Sequence, residues 1–154
     1  AWAALTSFEP TDNCGFSITP ISVPHRSELT DTHALLITGP ERSLLFLPDI
    51  DSWDEVLEGR ELKEWLSELS VDIALIDGTF WDGGELPGRN MGEVPHPTVV
   101  DSLERLGRRE QRDPEIHFLH LNHTNPLHDP DSEQALELTQ KGWNTCEQGS
   151  LFEL

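Results

Sequence analysis

The chain has 154 residues, of which 36% are hydrophobic, and its formal net charge at pH 7 is −19. This length fits one domain or one lobe of a larger domain. Because such an acidic surface repels phosphate groups, we expect no nucleic-acid partner, and we interpret the charge as a solubility or salt-tolerance property rather than an acidic binding face.

Targeting and redox signals are sparse. No apolar run of the sequence approaches the ~20 residues of a membrane-spanning helix, and no signal peptide is visible, so we expect a cytoplasmic protein without a membrane partner. Cys14 and Cys146 form no Cys-x-x-Cys pair, which leaves free thiols as the default and a disulfide between them open. The chain begins at Ala1 without Met, in ordinary domain sequence, which we interpret as a fragment or a processed product.

The first half of the chain is predicted to be rich in strands and begins with an irregular or helical segment over residues 1–15. Alternating and β-branched residues predict strands at residues 17–23, 33–38 and 43–47. The turn at residues 39–42 predicts that the last two form a hairpin. A helix with an apolar stripe follows over about 53–69, and Gly59 can divide it into two pieces.

The second half alternates strands and helices. Its apolar periods predict, in chain order, a strand at 71–76, a helix at 98–106, a strand at 116–121, a helix at 132–142 and a terminal hairpin over 143–154. A glycine-rich loop over residues 78–94 has no apolar period of its own, which is typical of a functional or mobile segment. Residues 122–130 are rich in turn formers, among which Asn122, Thr124 and Asn125 are interpreted as turn formers first and as hydrogen-bond donors to a site second. The resulting order, β-β-β-α-β-α-β-α-β, indicates an α/β fold with a mixed sheet flanked by helices.

Polar side chains stand at the points where apolar strands or turns end. They are His25, Asp49, Asp77 and His120. Side chains at strand ends converge in the crevice at the sheet edge, which is how α/β folds build a site. Because imidazole and carboxylate groups suit zinc, iron or manganese, the sequence predicts metal-dependent chemistry, of which this chain carries part.

The first two of these residues also have structural interpretations. A lone histidine after a proline is more often a solvent-facing loop residue, but the charged segment VPHRSE favours a functional role for His25. Asp49 can bridge metal cations or, together with Asp51 and Ser52, cap the following helix, and the two roles are compatible.

The later candidates allow alternatives as well. Asp77 can accept hydrogen bonds from turn amides, or use the space that Gly78 leaves in front of its carboxylate. His96 lies between two prolines, which suits a positioned acid or base, with a plain turn before the next helix as the alternative. In the predicted strand, His120 takes the candidate ligand role and His117 a structural one.

Five segments of the chain carry a resemblance to a known family. They are VPHRSELTDTHALLI, LLFLPDIDSWDE, VDIALIDGTFWDGGELPGR, VPHPTVVDSLERL and FLHLNHTNP. Their order resembles that of the metallo-β-lactamase superfamily, and the specific phrases DGTFW and HLNHTNP resemble most the group around pyrroloquinoline quinone biosynthesis protein B and its hydrolase-like relatives. The resemblance covers nearly the whole chain but only the second half of the family's fold. It implies an α/β fold that forms the second half of a four-layer αβ/βα sandwich, which holds two metal ions.

The resemblance also implies roles for the site residues. His25, Asp49 and His120 match the metal ligands of the family's second half, with Asp49 as the bridging carboxylate. Asp77 and His96 match an acidic residue and a proton-donating histidine of tRNA 3′-processing relatives, which makes them the implied catalytic pair. The family's first half supplies a His-x-His-x-Asp-His motif that none of the seven histidines forms here.

The function implied by the resemblance is hydrolysis. We expect a metal-dependent hydrolase in which metal-activated water attacks an ester or phosphodiester-like bond of a small-molecule substrate, with two divalent transition-metal ions, zinc first and iron or manganese as alternatives. Two other functions stay open, namely oxidative maturation in quinone cofactor biosynthesis and a non-catalytic acidic binding module. Residues 1–154 are interpreted as a single lobe without its N-terminal half. We expect that lobe or a homo-oligomeric copy as a partner, and an exposed apolar face where it packs.

Overall fold

One mixed six-stranded sheet organises the fold. A computed structural model of the chain describes residues 5–26, 31–86 and 94–154. The strands are β1 (Ser17–Val23), β2 (Thr32–Thr38), β3 (Ser43–Leu47), β4 (Ile73–Asp77), β5 (Glu115–Leu119) and β6 (Asn144–Thr145). They lie in the sheet in chain order; β1, β2 and β3 pair antiparallel, whereas β3, β4, β5 and β6 pair parallel. The hairpin predicted between the second and third strands is therefore confirmed.

Short helices connect the parallel strands. Within the described residues they are α1 (Trp53–Leu57), α2 (Leu62–Glu68), α3 (Val99–Leu106) and α4 (Glu133–Lys141), with a 3₁₀ turn at Pro126–His128. The helix predicted over 53–69 is divided because Glu58 and Gly59 have φ angles of 51° and 87°, which an α-helix cannot continue through. The longest of these helices, α4, has nine residues, so no helix of the described part can cross a membrane.

The strand that carries the last site residue is shorter than predicted. The sequence predicts a strand over 116–121, but β5 ends at Leu119. The reason is His120, whose φ of 63° is left-handed and incompatible with extended backbone. The side-chain alternation of the strand therefore stops just before His120.

The terminal hairpin predicted over 143–154 is wrong for the described chain. The only strand there is β6, which has two residues and pairs in parallel with β5. The predicted turn is present, as shown by the hydrogen bond from Ser150 N to Glu147 O at 3.1 Å. The residues beyond it form no ladder, and Phe152 and Leu154 instead pack against the sheet face.

Parts of three predicted segments lie outside the described residues. These parts are residues 1–4 of the first segment, residues 27–30 after VPHR and residues 87–93 of the glycine-rich loop. The described part of the first segment is irregular, and Phe8 forms an isolated antiparallel bridge with Ile18.

The main core lies between the sheet and the helices. It includes Trp53, Trp65, Leu66, Leu103, Leu106, Phe118 and Trp143. All five residues of β4 are buried, as its continuous apolar run predicted, because the strand has a packed layer on each face. The smaller layer, on the face away from the main core, contains Leu44, Ile73 and Leu75, with Phe152 and Leu154 packed against them.

Candidate metal centre

The candidate site lies where the parallel strands end. Because β3, β4 and β5 run in the same direction, their carboxyl ends meet at one edge of the sheet. Asp49 follows β3 by two residues, Asp77 is the last residue of β4, and His120 directly follows β5. His96 joins them from the segment that precedes α3. One ligand atom from each of these four residues lies within 4.8 Å of the others.

Asp77 is the fixed centre of this group. Its side chain has no solvent exposure. One carboxylate oxygen, Oδ1, accepts from Thr79 N at 2.9 Å and from Thr79 Oγ1 at 2.7 Å. The other, Oδ2, accepts from Ile50 N at 3.2 Å and contacts His96 Nδ1 at 2.8 Å. A carboxylate has about four lone-pair positions, so the protein itself uses all of them.

His96 is held beside Asp77 in a setting that favours its protonated form. Burial lowers the pKa of His96, but the hydrogen bond and charge of Asp77, with the charges of Asp49 and Asp51, outweigh that effect and raise the pKa above 6.5. The edge of the Phe80 ring packs against the imidazole, with 5.7 Å between ring centroids. His96 is thus a positioned imidazole rather than part of a plain turn.

Asp49 presents a buried oxygen that the protein leaves unpaired. Its Oδ1 has no hydrogen-bond partner among the described residues. The Nδ1 atoms of His25 and His96 lie 3.2 and 3.5 Å away, but neither contact has hydrogen-bond geometry. A buried carboxylate oxygen without a partner is costly, and a cation would satisfy it. Carboxylate and imidazole donors suit transition metals, so the residues present fit the metal that the sequence predicts.

His25 lies beside this group, where its imidazole is close to both Asp49 and Asp51. Its Nδ1 lies 3.1 Å from Oδ1 of Asp51, and Oδ2 of Asp51 accepts from Arg26 N at 3.1 Å. The side chain of His25 is 21% exposed, so it is not the solvent-facing loop residue that the sequence also allowed. Sequence reasoning treated Asp51 only as a helix cap and missed this pairing. The cap of α1 is Ser52, whose Oγ accepts from Glu55 N at 3.3 Å.

His120 reaches the group from an exposed, left-handed position. Its Nδ1 lies 3.0 Å from Thr79 Oγ1, and its ring centroid lies 5.9 Å from that of His96. Thr79 Oγ1 also lies 2.7 Å from Asp77 Oδ1 and 3.3 Å from His96 Nδ1, so it contacts three residues of the group. No pattern in the sequence indicates this role, although Thr79 belongs to the phrase DGTFW that carries the family resemblance.

Polar contacts, of which those of Asn125 are buried, hold the turns around the site together. Asn125 Nδ2 donates to the carbonyl oxygens of Gly78 at 2.8 Å and Thr79 at 3.2 Å, and its Oδ1 accepts from Leu127 N at 3.0 Å. Nearby, Glu85 accepts from Trp81 N at 2.6 Å and from Thr124 Oγ1 at 2.5 Å. The turn after β4 is thereby tied to the turn after β5.

Two other histidines lie away from the group. The ring of His117 faces the opposite side of β5 and packs on Phe152, with 5.2 Å between ring centroids. Burial is the main cause of its lowered pKa, and its buried Nε2 has no hydrogen-bond partner among the described residues, although Glu115 Oε2 lies 4.0 Å away. His123 is exposed and contacts Asn122 Oδ1 at 3.2 Å. The structure therefore gives neither histidine a place in the candidate site.

A cavity of about 500 Å³ opens beside His120. Ten residues line it, from the end of β5, the 3₁₀ turn and the segment after β6. His120, His128, Cys146 and Glu147 are its titratable groups, and no lysine or arginine is among the ten. The cavity is large enough for a small molecule and carries no fixed positive charge.

Comparison with known proteins gives consistent matches over nearly the whole chain. A family model described as a beta-lactamase superfamily domain matches residues 2–138. Coenzyme PQQ synthesis protein B of Pseudomonas savastanoi pv. phaseolicola is 30% identical over 151 residues, which cover 90% of this chain and 46% of that protein. The protein of the same name from Gluconobacter oxydans is 25% identical over 158 residues, which cover 91% and 49%. The chain thus spans about half the length of the curated relatives it matches.

Solved structures match the fold. Zinc-bound PqqB from Methylobacterium extorquens superposes with a TM-score of 0.69 at 24% identity, over 99% of this chain and 51% of that chain. The metallo-beta-lactamase fold protein YhfI from Bacillus subtilis gives a TM-score of 0.58 at 17% identity, over 98% and 52%. These matches confirm the mixed α/β sheet with flanking helices. Since the family model covers most of its length, the chain belongs to the β-lactamase superfamily and has the metallo-β-lactamase fold.

Proposed function

We propose that this chain carries one side of a metal centre and belongs to a metal-dependent hydrolase of small molecules. The observation that carries the proposal is the buried Oδ1 of Asp49, which has no hydrogen-bond partner among the described residues and lies within 3.2 Å of His25 Nδ1 and 3.5 Å of His96 Nδ1. A bound cation would satisfy this oxygen, to which neither imidazole donates a hydrogen bond. A zinc-bound relative of the same fold supports the proposal.

The proposed ligands are His25, Asp49 and His120. When bound, two divalent cations would polarise the bond to be cleaved and bring the pKa of a bound water toward neutrality. Zinc is our first choice because it accepts imidazole and carboxylate donors, and iron and manganese are the alternatives. Three ligands cannot complete two coordination shells, so we propose that a second lobe or a second copy of the chain supplies the others.

Asp77 and His96 form the proposed acid. The four positions of Asp77 are filled by protein donors, so its role is to orient His96 and to hold the proton on its Nδ1. Protonated His96 then has its Nε2 proton free to donate to a leaving group. Cleavage by water needs such a donor, which favours hydrolysis over the other functions considered.

The cavity beside His120 is the proposed substrate site. Its lining lacks lysine and arginine, and the whole chain has a formal net charge of −19. Phosphodiesters are usually bound through positive side chains, so this lining favours a neutral or cationic carboxylic ester over a phosphodiester. Of the two bond types expected from the sequence, an ester and a phosphodiester-like bond, we therefore propose the ester.

A second candidate function rests on the curated relatives. Proteins 30% identical to most of this chain are named coenzyme PQQ synthesis protein B. An oxidative role in the maturation of that quinone cofactor is therefore the alternative. It differs from hydrolysis in requiring a redox-active metal such as iron and the consumption of oxygen.

The test compares metal binding and chemistry in matched variants. In the full protein we expect zinc to bind, and Asp49→Asn to weaken binding by at least roughly tenfold, the lower end of what even outer-shell partners contribute. The control is Asp54→Asn, because the Asp54 side chain is 85% exposed and lies outside the site. Unchanged zinc affinity in Asp49→Asn would overturn the proposal. Cleavage of p-nitrophenyl acetate by the zinc form supports hydrolysis, whereas oxygen consumption by the iron form without ester cleavage selects the alternative.

A further inference from the structure

We propose that Thr79 is a positioning residue that holds the imidazole of His120 in one tautomer, with the proton on Nδ1 and with Nε2 free to meet a cation. The inference rests on the proposed metal-dependent function, because the free Nε2 is the atom that would serve as ligand. It concerns a residue outside the proposed ligands and the acid pair.

The number of available hydrogens fixes the direction of these hydrogen bonds. Thr79 Oγ1 lies 2.7 Å from Asp77 Oδ1, 3.0 Å from His120 Nδ1 and 3.3 Å from His96 Nδ1. The hydrogen of His96 Nδ1 has a shorter contact of its own, with Asp77 Oδ2 at 2.8 Å. A hydroxyl has one hydrogen to donate, and an ionised carboxylate has none. The contact with Asp77 Oδ1 therefore uses the Thr79 hydrogen, and the Thr79 oxygen must accept the hydrogen of His120 Nδ1.

Thr79 itself is fixed from several sides. Its side chain is 8% exposed, and its amide donates to Asp77 Oδ1 at 2.9 Å. Its carbonyl oxygen accepts from Asn122 N at 2.9 Å and from Asn125 Nδ2 at 3.2 Å. The hydroxyl is thus presented from a rigid backbone, which a positioning group requires.

His120 needs such a partner more than His96 does. Its side chain is exposed, so packing does not restrict the ring, and its backbone has a φ of 63°, which few residues other than glycine adopt. The strained backbone aims the imidazole at Thr79 instead of continuing β5. Strain of this kind is found where the surrounding structure maintains a functional geometry.

The carboxylate of Asp77 therefore determines which nitrogen carries the proton in both His96 and His120. Oδ2 of Asp77 contacts His96 Nδ1 directly at 2.8 Å, and Oδ1 acts on His120 through the Thr79 hydroxyl. In each imidazole the proton is held on Nδ1. The Nε2 atom is then available to donate a proton in His96 and to bind a cation in His120. Partners of this type fix the tautomer of metal-binding histidines, and their loss costs roughly 10–100-fold in metal affinity.

The experiment reads the tautomer directly, in the metal-free full protein. With ¹⁵N-labelled histidine, NMR at a pH where His120 is neutral distinguishes a protonated Nδ1 from a protonated Nε2. We expect the Nδ1–H form in the wild type and in Thr79→Ser, which keeps the hydroxyl. We expect the mixed tautomers of an unrestrained imidazole in Thr79→Val, with zinc affinity roughly 10–100-fold weaker and restored in Thr79→Ser.

Thr98→Val is the matched control. Thr98 Oγ1 accepts from Asp101 N at 3.1 Å as the cap of α3, so this variant loses a structural hydroxyl and some stability while the His120 signals stay unchanged. The inference is overturned if wild-type His120 carries its proton on Nε2, a result that does not depend on any variant folding. It is also overturned if Thr79→Val leaves the tautomer and the zinc affinity unchanged. A fixed Nδ1–H tautomer in a protein that binds no metal would refute the proposed function and leave the positioning by Thr79 intact.

Discussion

Nδ1 of His96 lies 2.8 Å from Oδ2 of Asp77, a carboxylate with no solvent exposure. Burial alone would lower the pKa of His96, and the fixed charge and hydrogen bond of Asp77 are the main reasons that it is raised instead. Asp77→Asn removes that charge, so we expect this variant to lower the pKa of His96. The measurement is an NMR pH titration of the His96 Cε1 proton in the metal-free protein.

The raised pKa of His96 also makes the free energy of unfolding depend on pH. Because the pKa of His96 in the folded state is above the unfolded value of 6.5, its protonation stabilises the fold fully below that value, and the contribution is lost as pH rises through the folded pKa. In Asp77→Asn this contribution shrinks. The control Asp54→Asn, which changes an exposed carboxylate, should leave the His96 titration unchanged. A pKa of His96 in Asp77→Asn equal to or above that of the wild type would contradict the prediction.

Part of the site can be predicted from the sequence because the end of a strand is marked by a local change from apolar to polar residues. The polar residues Asp49 and Asp77 end apolar runs, and parallel pairing of the strands brings such ends together. The pairing of Asp51 with His25 and the bridge through Thr79 depend on turn geometry, which no hydrophobic period encodes. The left-handed backbone at the end of β5 could not be predicted for the same reason, since the apolar run around His120 predicts a continued strand.

The close approach of β4 and β5 gives a second prediction, at Gly78. A Cβ added at Gly78 would lie 2.9 Å from Cβ of Phe118 and 3.1 Å from the carbonyl oxygen of Leu119. Neither atom belongs to the flexible end of a side chain, so Gly78→Ala must displace the turn that carries Asp77. We expect a loss of about 1–3 kcal/mol in the free energy of unfolding, the range for overpacked cores.

Urea unfolding measures this loss, and a second glycine supplies the control. Gly83 lies in the same loop, and a Cβ added there meets no atom within 4 Å. Gly83→Ala should therefore change the free energy of unfolding by less than about 0.5 kcal/mol. If the two variants were equally stable, the close contact at Gly78 would not constrain the turn.

The third prediction concerns Asn125, the cross-link between the two turns of the site. Its side chain is 2% exposed, and its Nδ2 donates to the carbonyl oxygens of Gly78 and Thr79. Asn125→Asp keeps the shape but sets a carboxylate oxygen against two carbonyl oxygens. We expect a loss of about 1–3 kcal/mol or more in the free energy of unfolding at neutral pH.

Urea unfolding with a matched surface variant tests this expectation. Asn144 is exposed, so Asn144→Asp makes the same chemical change where water can solvate the charge. We expect it to change the free energy of unfolding by less than about 0.5 kcal/mol. Wild-type stability in Asn125→Asp would show that the two turns do not depend on this donor.

The fourth prediction uses His117, whose pKa is lowered chiefly by burial. Because the folded pKa lies below the unfolded value of 6.5, stability is fully present above 6.5 and is lost as pH falls through the folded pKa. His117→Leu removes this titratable group, so the variant should lose less stability between about pH 7.5 and about pH 5 than the wild type does. Urea unfolding at both pH values measures the difference, with His123→Leu as the exposed control that should retain the wild-type dependence. An identical loss in His117→Leu and in the wild type would mean that the buried imidazole does not contribute to acid sensitivity.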